Sequence, residues 1–235
     1  MTDLHVLLVT AVSLGFIHTL LGPDHYLPFI VLSRARKWPI AKTLWITFFG
    51  GVGHIGGSVI LGLTGVALGM SLSKLEIIEA SRSNLAAWLL VGFGTLYTVY
   101  GIVKFIRHGH HAHLPQFLLP KVIRNYRHLP TTEAEEAKQD WTRLTPWVLF
   151  LIFVFGPCEV LIPLLMYPAS QHNLAAVFIV ALVFGIATII TMLCTVYAGF
   201  KGTSLVLFKK TERYMHMVAG SVIIILGIGI RFWGW

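Results

Sequence analysis

His18-Thr-Leu-Leu-Gly-Pro-Asp-His25 and its echo in the second half, Phe155-Gly-Pro-Cys-Glu159, decide how the rest of the chain is read. Both stretches lie inside long apolar runs, and each sets an acid one or two residues after a Gly-Pro. Asp24 and Glu159 read as the only acids inside such runs. An ionisable group in a bilayer is costly unless paired, so each marks a candidate functional position. Proline within a helix removes one hydrogen bond and clashes with the carbonyl four residues earlier. Pro23 is therefore expected to free the carbonyl of Thr19, and Pro157 that of Phe153. Open carbonyls persist at membrane depth only where protein or a hydrated cavity covers them.

Composition agrees with a membrane setting. The chain is 56% hydrophobic and only 12% charged, far from the usage of an average soluble domain. Apolar runs of about 20 residues recur, each long enough for a ~30 Å hydrocarbon core. Six spans are expected, near residues 5–33, 42–70, 85–106, 145–168, 173–200 and 212–234. The loops after the first, third and fifth spans hold fifteen of the 18 Lys and Arg residues. By the positive-inside rule those loops face the cytoplasm and both termini face out, in a plasma (bacterial inner) membrane. The +8 formal charge is thus a topology signal, and no folded basic domain exists to bind nucleic acid. No basic n-region precedes the first apolar run, so no cleavable signal peptide is expected.

An internal repeat sets the architecture. Gly22-Pro-Asp-His-Tyr-Leu-Pro28 matches Gly156-Pro-Cys-Glu-Val-Leu-Ile-Pro163 with one residue inserted. Val52-Gly-His-Ile lies opposite Phe184-Gly-Ile-Ala, and Val91-Gly-Phe-Gly-Thr opposite Ala219-Gly-Ser-Val. The chain divides into a three-helix repeat at 1–106, a cytoplasmic His-rich linker at 107–143 and a second three-helix repeat at 144–235. Units with an odd number of spans must lie in opposite orientations. The expected fold is all-α: six transmembrane helices as two inverted repeats, with helices 1 and 4 broken at Gly-Pro. Secondary transporters use that plan, placing the substrate at the repeat interface on interrupted helices.

The candidate ligands follow from residue chemistry. On a straight helix His18 and His25 would stand ~10 Å apart on one face, too far to share an ion. The Gly22-Pro23 break can bring them together with Asp24. His54, in the Gly-rich run Gly50-Gly-Val-Gly-His-Ile-Gly-Gly57, adds another imidazole. Cys158 and Glu159 place a thiol and a carboxylate at the matching position of the second half. This set suits Ni, Co, Zn or related ions better than Mg or Ca, which prefer oxygen shells. His108, His110, His111 and His113 form an accessory tract with metal affinity in the linker. No P-loop is present, so energy for movement would come from a gradient or a partner, and no enzymatic activity is expected.

These motifs carry a resemblance. His18-Thr-Leu-Leu-Gly-Pro-Asp-His25 looks like the His-x(4–5)-Asp-His signature of the nickel/cobalt transporter superfamily, closest to its urease-accessory branch. Gly53-His-Ile-Gly-Gly-Ser-Val59 is similar to that family's second motif. The resemblance implies that His18, Asp24, His25 and His54 form the metal entry or binding site. It also implies transport of Ni²⁺ or Co²⁺. The ion is then cargo with no tightly bound cofactor expected, and a cytoplasmic metallochaperone is a candidate partner. The chain departs from better-known members in one extra residue between His18 and Asp24, and in six spans where many have eight. A more distant likeness joins Gly156-Pro-Cys-Glu-Val-Leu-Ile-Pro163 to the Pro-Cys motif of the cytochrome-c-biogenesis thiol electron carriers. A thiol relay needs two thiols that can meet, and the matching first-half position is Asp24. An ion-coupled exporter of a small organic substrate is the remaining alternative.

Overall fold

The fold is taken from a computed structural model, which describes residues 2–108, 144–156, 158–171, 173–206 and 214–233. Pro157, most of the linker and His110, His111 and His113 lie outside the described residues.

Every regular element among the described residues is helical. α1 spans Thr2–Leu21. A single 3-10 turn at Pro23–His25 separates it from α2, Leu27–Ala35. α3 is Ile40–Ala67 and α4 is Leu72–His108. α5, Leu144–Phe155, and α6, Leu161–Ser170, flank the second break. α7 is Leu174–Val206 and α8 is Met215–Trp233. Five of these helices, α1, α3, α4, α7 and α8, are long and apolar enough to cross a membrane. Large apolar side chains such as Val9, Trp45, Ile60, Trp88 and Leu182 stand exposed around the outside. In a bilayer that surface meets lipid, and together the two features mark a multi-pass membrane protein.

The first break forms as proline chemistry requires. Pro23 has no N–H to offer the Thr19 carbonyl. The chain leaves the helix at Gly22, whose N–H still reaches the His18 carbonyl at 2.9 Å. His25 N–H then closes a tight turn on the Gly22 carbonyl at 3.1 Å. At the second break the expectation of an open Phe153 carbonyl is corrected. The Gly156 N–H takes the i+3 position and donates to it at 3.1 Å.

The expected third span, 85–106, begins thirteen residues too late, because α4 starts at Leu72. It takes in Glu79, only 2% exposed, so Asp24 and Glu159 are not the only acids within the helical body. Helices of the two halves interleave. The most extensive pairing lays α4 along α8, while α1 and α3 both pack on α7. Glycines permit the α4–α8 approach: a Cβ on Gly94 would stand 2.9 Å from the Gly220 carbonyl. One core gathers Phe29, Leu32, Tyr97, Leu149 and Met192. A second gathers Ala11, Ile55, Cys158, Leu161 and Phe184.

Candidate metal site

The 3-10 turn carries His25 inward, and His18 sits on the last turn of α1 just before it. His54 comes from the middle of α3. One ligand atom from each of the three rings lies within 4.8 Å of the others. The His18 and His25 ring centroids are 4.7 Å apart, those of His25 and His54 are 5.0 Å apart, and both pairs are T-shaped. His25 and His54 are buried, and His18 is half-buried. In all three rings Nε2 is buried without a hydrogen-bond partner.

That last point decides the chemistry of the pocket. A buried polar atom left without a partner costs about 1–3 kcal/mol, and each ring of this cluster carries one. For His25 the lone pair can be assigned. Its Nδ1 stands 3.1 Å from Asp24 Oδ1 and 3.2 Å from the Gly22 carbonyl. Both are acceptors, so Nδ1 carries a hydrogen, and in the neutral ring Nε2 presents the lone pair. A carboxylate behind the imidazole is how proteins fix the tautomer and raise the basicity of a metal-binding histidine. A tetrahedral ion with metal–nitrogen bonds of about 2.1 Å holds its ligands about 3.4 Å apart. The rings would need to close by at most ~1.4 Å to meet that geometry.

Asp24 therefore stands behind His25, within the site but outside the three-nitrogen cluster. On this geometry Asp24→Asn should weaken metal binding by roughly 10–100-fold without abolishing it. Titration of purified protein with Co²⁺ checks this, and an unchanged affinity would remove Asp24 from the site.

Cys158 and Glu159 are not drawn into the cluster. Cys158 is fully buried in the second core, and Glu159 is exposed. The second break still touches the site: a Cβ on Gly156 would lie 3.1 Å from His54 Nδ1. His108 ends α4. His216 belongs to a separate network, where Lys104 Nζ donates to its Nε2 at 2.7 Å and Tyr97 OH lies 3.0 Å from its Nδ1.

Two residues with no site role in the sequence reading, Glu79 and Arg82, join Ser58 of the second motif at the second break. Glu79 Oε1 accepts from Ser58 Oγ at 2.9 Å and from the Cys158 N–H at 2.8 Å. Arg82 Nη1 donates to Glu79 Oε2 at 2.6 Å. Its Nη2 donates to the Val154 carbonyl at 2.9 Å and reaches the Gly156 carbonyl at 3.4 Å. The only signal in the sequence is a pair of opposite charges three residues apart, and Ser81-Arg-Ser-Asn84 around it reads as loop. The contact depends on Gly57, where a Cβ would stand 2.6 Å from the Val154 carbonyl and 2.8 Å from Arg82 Nη2. Gly57→Ala should lower thermal stability through about 1–3 kcal/mol of overpacking. Gly56→Ala, with nothing within 4 Å of its Cβ, should not. Equal melting temperatures for the two variants would contradict the packing described.

Compared with known proteins, the chain matches no family model, no curated protein and no solved structure.

Proposed function

We propose that this protein is a secondary carrier of a divalent transition-metal cation, with Ni²⁺ or Co²⁺ the first candidates and Zn²⁺ next. The observation that carries the reading is the convergence of three imidazoles, His18, His25 and His54, each with a buried Nε2 that has no hydrogen-bond partner. Imidazole ligands favour transition metals over Mg²⁺ and Ca²⁺. The motif resemblance to nickel/cobalt transporters gives the first candidate cargo. Cys158 lies outside the cluster, so no thiolate directs the choice toward softer ions.

In this proposal the membrane is crossed six times, by α1 with α2, α3, α4, α5 with α6, α7 and α8. The two sets of three are inverted repeats in a plasma (bacterial inner) membrane. Both termini lie outside and the basic loops lie in the cytoplasm. Rocking of one repeat against the other opens the three-histidine site to each side in turn. Asp24 keeps His25 in its ligating tautomer throughout. Binding requires neutral imidazoles, so protons compete with the cargo and acid promotes its release. The His108–His113 tract gathers metal on the cytoplasmic side, or hands it to a metallochaperone.

Elemental mass spectrometry of cells expressing wild type or His25→Ala, exposed in turn to Ni, Co, Zn and Cd, tests the function. One metal should rise or fall with wild type alone, and the sign gives the direction of transport. No change in any metal, with both proteins inserted equally, would end the proposal.

A further inference from the structure

The two breaks are built alike but filled differently. At the first, three imidazoles cluster with one nitrogen of each within 4.8 Å of the others, and each Nε2 is buried without a hydrogen-bond partner. At the second, oxygen atoms from three helices and the break itself converge on one guanidinium. The Arg82 group meets the Glu79 carboxylate, the Ser58 hydroxyl oxygen at 3.4 Å, and the carbonyls of Val154 and Gly156. A carboxylate, a hydroxyl and two carbonyls at the end of a half-helix are what an alkali-type cation site is made of. The charges also follow the helix dipoles. The cation sits on the carbonyl end of α5, and the Glu79 anion takes the Cys158 N–H that leads into α6.

We infer that Arg82 is a tethered cation occupying an oxygen-lined ion site in the second break, so that this site takes up no sodium or potassium ion. Its guanidinium holds the carbonyl end of α5 to Glu79 and Ser58, and through Gly156 keeps the break against His54. Removing the guanidinium empties the site for a small monovalent cation. The inference is independent of which ion, if any, the histidines carry.

The test uses full-length protein without transition metal, in a Cys194→Ser background that leaves Cys158 as the sole thiol. Cys158 is fully buried beside Glu79, so its rate of modification by N-ethylmaleimide reports opening of the break. In the parent the rate should be slow and equal in sodium, potassium and choline salts. Arg82→Ala should react at least about tenfold faster in choline. Low-millimolar guanidinium, or sodium or potassium, should slow it back toward the parent rate. Arg82→Lys keeps a tethered charge and should stay slow in choline. If Arg82→Ala does not give monodisperse protein, Arg82→Gln carries the same comparison. An unchanged rate after loss of the guanidinium would overturn the inference. So would an acceleration that no cation reverses, or an alkali-ion dependence in the parent or in Arg82→Lys.

Discussion

Replacing His54 with alanine is expected to weaken metal binding by more than about 100-fold, beyond the loss typical of an outer-shell partner, while the fold persists. His54 supplies the third nitrogen from α3, and without it the two histidines at the first break cannot enclose an ion. The effect on stability should be small because two terms oppose. Truncating the ring leaves a cavity against His25 and Phe153. It also removes a buried Nε2 that had no partner, relieving about 1–3 kcal/mol. A residue kept for packing would behave in the opposite way, with large thermal destabilisation and intact metal affinity. Melting temperature and Co²⁺ titration on the same preparation separate the two.

Glu79→Ala should produce the largest loss of stability of any single change considered. Its carboxylate neutralises Arg82 and accepts from Ser58 and from the Cys158 N–H. Removing one member of a buried pair leaves the other charge uncompensated, at a cost of about 3–5 kcal/mol. Glu79→Ala/Arg82→Ala should be less destabilised than Glu79→Ala alone, since the stranded charge is then gone. Unfolding free energies of the two single variants and the double variant test this. Additive losses would mean that the two side chains act independently.

How much of this was legible in the sequence depends on the residue. The first break was, because Pro23 must end α1 and the short turn must carry Asp24 and His25 together. The multi-pass helical class was equally legible from apolar runs. His54 was legible from residue type and its small neighbours, but not its distance to His25, which depends on how α1 and α3 meet through α7. The repeat pattern invited the expectation that Cys158 and Glu159 would copy the chemistry of Asp24 and His25. Instead the Cys158 main chain meets Glu79, because the second break turns its backbone toward α4. Glu79 and Arg82 escaped because Lys74, Glu76 and Ser81-Arg-Ser-Asn84 lower hydropathy enough to read as loop. Local charge ends an apolar run on paper. It does not end a helix whose polar groups find partners on its neighbours.

The most direct measurement is the electronic spectrum of the purified, metal-free protein titrated with Co²⁺. The three-histidine site should take up one ion per chain, with visible bands of four-coordinate geometry. Those bands should be absent in His18→Ala, His25→Ala and His54→Ala, and Asp24→Asn should keep them at reduced affinity. Wild-type protein that shows no such bands with Co²⁺ would contradict the account, as would the same four-coordinate bands surviving loss of all three imidazoles.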